Sequence, residues 1–194
     1  MKGARAELDG RVARGERSRE AIEHAMFALV GEGALAPTAQ EVAERAGVGL
    51  RSVFRHFRDM ETLHAAMDAR LRASIAPLLG SDLPAGGLAA RVRALVVHRA
   101  RLFEHIAPYK RAGNLHLARS PFLRSRHAEL VTQLSANLLR WLPELSKGPD
   151  ARRDAVELAT SFEAWDRLRK DQRLSRERAQ AAVEGTVLAL LGAR

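Results

Sequence analysis

Apolar positions recur at helical spacing through most of the chain, and no stretch shows the two-residue alternation of a strand. Ile22, Met26, Leu29 and Val30 fall at i, i+4, i+7 and i+8, with Phe27 beside them. Gly31 and Gly33 close that helix, since glycine takes the left-handed conformation at a helix end cheaply. Thr38 and Glu41 are spaced as a capping box that opens a second helix, where Val42, Ala43 and Ala46 supply a small apolar face. Gly47 stops this helix early, and Val48 is apolar inside the turn. A further helix follows over about 50–57. Val53 and Phe57, four apart, share its inward face, which leaves Arg51, Ser52, Arg55 and His56 pointing elsewhere. A helix, a glycine turn and a second short helix are the outline of a helix-turn-helix, which places its second helix in the DNA major groove.

Asp59 is placed to cap a fourth helix running to about Leu79, with one stripe through Met60, Leu63, Met67, Leu71, Ile75 and Leu78. Residues 80–87 are a glycine- and proline-containing break. A fifth helix, about Leu88–His105, carries two stripes, one of them Leu88, Val92, Val96, Arg99, Phe103 and Ile106. Pro108 predicts an interruption and the first turn of a short sixth helix, Tyr109–Ala118. Ser120 and Pro121 open a seventh helix to about Trp141. Asp150 caps an eighth to about Lys170, and Leu174 and Ser175 begin a ninth. The pattern predicts an all-α protein of about nine helices. Residues 1–16 read as a mobile arm. Residues 17–60 read as an N-terminal three-helix helix-turn-helix domain with its recognition helix at about 50–57. Residues 61–194 read as a C-terminal helical ligand-binding and dimerisation domain.

Charge changes this picture less than its total suggests. The net charge is +9, yet residues 1–60 hold ten basic and nine acidic side chains, so the excess lies mostly outside the helix-turn-helix. There is no cysteine, which excludes a disulfide framework, a thiolate metal site and a thiol nucleophile. No signal peptide or membrane-length apolar run is visible, and a cytoplasmic protein without membrane contact is expected. No nucleophile with a base, metal-ligand set, phosphate loop or cofactor motif is apparent, so neither an enzyme nor a cofactor is expected.

The stretch Thr38–Leu63 resembles the DNA-binding region of the TetR family of transcriptional regulators. The resemblance rests on Thr38, Val42, Ala43, Ala46-Gly47-Val48, Ser52-Val53-Phe54, His56-Phe57, Glu61 and Leu63, and Phe27 and Gly33 fit the family's first helix. Three positions depart from the family pattern. Gly49 stands where Ser or Thr usually caps the recognition helix, Phe54 where Tyr is usual, and Met60 where Lys is usual. The last two remove one phosphate contact each. The residues expected to face double-stranded DNA are Thr38, Gln40, Gly49, Leu50, Arg51, Ser52, Phe54, Arg55, His56 and Arg58. The resemblance implies a repressor released from its operator by a small molecule.

In the second half, apolar stripes broken by polar groups suggest a mostly apolar small-molecule site with few polar anchors. His98, Leu102, His105, Tyr109, Asn114, His116, His127 and Leu130 are its candidate lining. His98 and His105 lie seven apart on one helical face, but no metal-ligand spacing accompanies them. Leu158, Phe162 and Trp165 of the eighth helix and Ala179, Val183 and Val187 of the ninth read as a homodimer interface. Two-fold pairing doubles the few base contacts of one recognition helix and implies a palindromic operator. The altered positions also support a second reading, an all-α ligand-binding or scaffold dimer with weak or lost DNA binding.

Overall fold

The computed structural model describes residues 2–79 and 85–192. Among them there are helices and no strand: α1 (Lys2–Gly31), α2 (Ala39–Ala46), α3 (Leu50–His56), α4 (Met60–Leu79), α5 (Leu88–Asn114), α6 (Pro121–Trp141), α7 (Asp150–Ala159), α8 (Phe162–Asp166) and α9 (Arg176–Leu190). The all-α expectation holds. The chain gathers into two compact units, Met1–Ser74 with Pro108–Leu123, and Ile75–Ala107 with Arg124–Arg194. The first unit therefore takes most of α4 and a returning piece of chain that a division at residue 60 assigns to the other half.

The first unit is built on α1, α2 and α3. Ile22, Met26, Val30, Val42, Val53, Phe57 and Leu63 are essentially inaccessible, and Tyr109 and Ala112 of α5 join the same core. Residues 2–16, expected to lack periodic structure, are helical and continue into the rest of α1. Ala, Glu and Arg between the glycines favour helix, which offsets the cost of about 1 kcal/mol that each interior glycine carries. Near the end of this stretch α1 passes His56: a Cβ added at Gly15 would lie 3.9 Å from that ring.

Within the second unit, parts of α5 and α6 pack with α7, α8 and α9. Val92, Leu95, Leu102, Phe103, Leu138, Val156, Phe162, Val183 and Val187 are buried there. Two expected boundaries differ. Pro108 lies inside α5, which continues to Asn114; Ile106, Ala107, Tyr109 and Ala112 are all buried around it, and packing of a helical face outweighs one lost backbone hydrogen bond. The expected eighth helix divides at Thr160 and Ser161. Ser161 adopts an extended conformation and its Oγ accepts from the Ala164 N–H at 3.1 Å, starting α8 afresh. A π-helical turn, Arg167–Asp171, then leads to Arg173, whose φ of 54° reverses the chain before Ser175 caps α9.

Candidate nucleic-acid interface

The turn between α2 and α3 is fixed by local chemistry. Thr38 is extended and caps α2: its Oγ1 accepts from the Glu41 N–H at 3.2 Å, and Glu41 Oε2 accepts from the Thr38 N–H at 2.7 Å. The Thr38 N–H, and then the Thr38 hydroxyl donating to the same Oε2 at 2.8 Å, hold the Glu41 carboxyl below its ordinary range. Gly47 ends α2 at φ 65°, where a side chain would be strained, and the Val48 N–H reaches back to the Ala43 carbonyl at 3.0 Å. Gly49 begins α3 without a side-chain capping bond. Arg45 pairs with Glu32 through two hydrogen bonds of 2.7 and 2.6 Å, tying α2 to the end of α1.

Val53 and Phe57 anchor α3 inward, both about 1 % exposed. Arg19 of α1 lies over the Phe57 ring, 5.1 Å from its centroid. The opposite face is free. Thr38, Gln40, Gly49, Leu50, Arg51, Phe54, Arg55 and Arg58 are exposed, and Ser52 is half-buried. Arg51 has no hydrogen-bond or ion-pair partner among the described residues. Arg55 makes only a long contact of 3.4 Å to Ser52 Oγ. Asp59 Oδ1 accepts from the Thr62 N–H and Oγ1, each at 2.8 Å, so α4 starts directly after this face.

His56 departs from the expected set. It is half-buried, and its Nε2 is buried without a partner among the described residues. Burial, then Arg55 and Arg19, push its pKa down, which favours a neutral ring turned toward α1 rather than a cation facing outward.

The residues expected to line one ligand cavity are distributed over both units. In the first, Tyr109 stacks on Phe27 with centroids 4.5 Å apart. His116 lies 5.2 Å from His64, and burial followed by the His116 charge lowers the His64 pKa. Asn114 is exposed. His64 and His116 border a small cavity of about 10 Å³ between Met26, Val30, Met67 and Leu123. In the second unit, Leu102 is fully buried, His98 packs on Trp141 at 5.1 Å, His105 is exposed, and His127 and Leu130 are half-buried. The expected dimer residues also split. Leu158 is 70 % exposed, whereas Phe162, Trp165, Ala179, Val183 and Val187 are buried within their own unit. Those five are covered by their own chain. Periodicity marks a buried face but not the partner that buries it.

One polar site in the second unit escaped the sequence reading. Arg99 is only 4 % exposed. Its Nη1 donates to the Thr160 carbonyl at 2.6 Å and to Thr160 Oγ1 at 2.9 Å, and its Nη2 donates to the Leu134 carbonyl at 2.6 Å. Burial pushes its pKa down to about 10, while Glu157 favours the charge through space. The guanidinium therefore remains charged at neutral pH. The signal was present: Arg99 stands at a core position of the Leu88–Ile106 stripe.

The first unit is thus a helix-turn-helix with a basic, outward-facing second helix, on a chain whose remainder is a separate helical unit. Residues 22–67 match the family of bacterial regulatory proteins of the tetR family, so the chain carries a TetR-family N-terminal domain. Comparison with curated proteins finds no match. Among solved structures, the chain is similar to a transcriptional regulator from Rhodococcus sp. Rha1, with TM-score 0.65 and 21 % identity over 90 % of this chain and 96 % of that one. It is also similar to a protein from Mesorhizobium loti MAFF303099 assigned to the TetR family of transcriptional regulators, with TM-score 0.56 and 18 % identity over 92 % of this chain and 97 % of that one. At such identities these likenesses establish the fold along nearly the whole chain. No helix among the described residues is long and apolar enough to cross a membrane.

Proposed function

We propose that this protein is a ligand-responsive transcriptional regulator, a cytoplasmic homodimeric repressor that leaves a palindromic operator when a small molecule binds its second unit. The observation that carries the DNA reading is the outward face of α3 and the turn after it, where Arg51, Arg55 and, beyond the helix, Arg58 are exposed while Val53 and Phe57 hold the helix inward. Exposed arginines without committed partners suit phosphate and guanine-edge contacts. Two copies related by a two-fold axis present two such helices to half-sites about one helical turn apart. Of the residues first expected at the dimer surface, Leu158 is the accessible one.

Release follows from a shift between two states. Helix α4 begins in the first unit and ends in the second, and is the element through which ligand binding changes the spacing of the recognition helices. The coupling equals the ligand's difference in affinity for the two states.

Selection of bound DNA from a random pool tests the reading. A two-fold symmetric sequence is expected, with affinity falling steeply as salt rises. On that sequence Arg51→Ala should cost about 1–3 kcal/mol and relax base preference, while Arg58→Ala should weaken all sequences alike and reduce the salt slope by about 1. Equal, sequence-independent losses would remove Arg51 from base reading. Failure to enrich any sequence would favour the ligand-binding or scaffold dimer.

A further inference from the structure

We propose that the cavity at Arg99 is a binding site for a small monocarboxylate with an apolar body, such as an aromatic or short-chain acid. The site rests on the ligand-responsive reading above and gives its effector a chemical class. Val96, Phe103, Ala159, Trp165 and Val183 supply apolar walls, and Arg99, Thr160 and Ser161 complete the lining. The hydroxyls are already committed. Thr160 Oγ1 donates to the Val156 carbonyl at 2.7 Å and accepts from Arg99. Ser161 Oγ donates to the Leu158 carbonyl at 2.8 Å and accepts from the Ala164 N–H. Arg99 Nε is the exception: it is buried with no hydrogen-bond partner among the described residues.

A guanidinium has five N–H donors, and burying one without an acceptor is costly. Its charge is also incompletely balanced. Glu157 acts only through space, and one of its carboxylate oxygens accepts from Ser135 Oγ at 2.5 Å. The Nε–H therefore has no acceptor among the described residues, and part of the positive charge is unbalanced. A carboxylate supplies the acceptor and the balancing charge, with a single charge against a single guanidinium. A phosphate dianion brings a second charge that these walls cannot hydrogen-bond, and a neutral ligand leaves the charge unmet. The apolar walls select the rest of the molecule. The cavity measures about 10 Å³, space for one water, so a carboxylate enters with movement of its walls. Trp165 is the wall with an outside tether, its Nε1 donating to Glu104 Oε1 at 3.1 Å, an oxygen that also accepts from Arg169 Nε at 2.6 Å.

Thermal unfolding of the full chain with benzoate, butyrate and neutral benzamide tests the site. At about a hundredfold excess over the dissociation constant, a carboxylate should raise the unfolding temperature by about 5–10 °C. Benzamide, of the same shape without charge, should not. Proton–nitrogen spectra report the site directly: the buried Nε–H signal of Arg99 should move on adding benzoate. Val183→Leu narrows the cavity without touching the guanidinium and should weaken benzoate about tenfold. Equal shifts by benzoate and benzamide, an Arg99 signal that stays in place, or undiminished binding by Val183→Leu would each overturn the site and leave Arg99 a structural cation. Benzoate binding that leaves operator affinity unchanged would retain the site and end the release mechanism; loss of DNA binding in every condition would do the same to the regulator reading alone.

Discussion

The two units use arginine in opposite ways. In the first, no charged side chain sits in the core, and Arg51, Arg55 and Arg58 stand in solvent with few or no partners. Their charge costs the fold almost nothing, so they are free to serve a ligand outside it. In the second, Arg99 is sealed among apolar side chains and held by two backbone carbonyls and a threonine hydroxyl. Removing a charge from water is expensive, and its hydrogen bonds offset only part of that cost. The contrast separates two kinds of candidate cation. An exposed one can be removed with loss of binding and little loss of stability. A buried one enters both ledgers, so only a measurement that reads its chemistry can tell the two apart.

The largest expected effect tests whether the face formed by α7, α8 and α9 is core or interface. Phe162 is 3 % exposed and meets Phe103 edge-on, with centroids 5.7 Å apart. Phe162→Ala should cost about 3–5 kcal/mol in unfolding free energy, the usual range for a buried phenylalanine. Leu158→Ala, at a position 70 % exposed, should change the stability of the isolated chain by about 0.5 kcal/mol or less. Denaturant unfolding at low protein concentration, with sedimentation in parallel, separates the cases. A mild Phe162→Ala, with monomers in place of dimers, would return Phe162 to the subunit surface.

The same contrast explains what was legible in the sequence. The first unit announces itself through local signals: a capping box at Thr38, a left-handed glycine at Gly47, and an inward pair at Val53 and Phe57. Each is decided by a few neighbouring residues, and each appears where expected. The second unit depends on long-range packing. Pro108 reads as a helix end, yet buried residues on both sides carry α5 through it. The six residues read as a dimer stripe divide: Leu158 is exposed, and only the fold shows that the other five are buried by their own chain. Arg99 reads as one polar member of an apolar stripe, and its partners lie 35 and 61 residues away. No local pattern encodes those. His56 fails for a related reason: α3 alone turns it outward, and α1, not expected to extend so far, covers it.

A smaller effect sharpens the first unit's dependence on local chemistry. Thr38→Ala removes the cap of α2 and should cost about 1 kcal/mol at neutral pH. The Glu41 carboxyl, held down first by the Thr38 N–H and then by its hydroxyl, contributes its half of the box only while ionised. A depressed carboxylate stabilises above its ordinary pKa of 4.5 and loses that contribution as pH falls through the lower folded value. The difference between Thr38→Ala and the parent protein should therefore narrow in acid. Thermal unfolding across that range checks it, and a constant difference would mean that the bond from the Thr38 hydroxyl to the Glu41 carboxylate plays no part.

The smallest effect concerns the cap that α3 lacks. Gly49 is extended at φ −72° and ψ 149°, a conformation any residue adopts, and a Cβ there meets nothing within 4 Å. Gly49→Ser therefore adds no strain. Its hydroxyl can accept from the Arg51 N–H in the first turn of α3, since the Ser52 N–H, the counterpart of the one Thr38 caps in α2, already donates to the Gly49 carbonyl at 2.8 Å. Serine exceeds glycine at this position by a few tenths of a kcal/mol, and the unfolding temperature of the parent protein should rise by about 1 °C. DNA binding decides what that absence means. If the uncapped N–H groups of α3 are left for phosphate, Gly49→Ser stabilises the protein while weakening its grip on every sequence alike. If affinity instead rises with stability, the missing cap is simply a weak point in the recognition helix, and the arginines around Phe54 carry the contact alone.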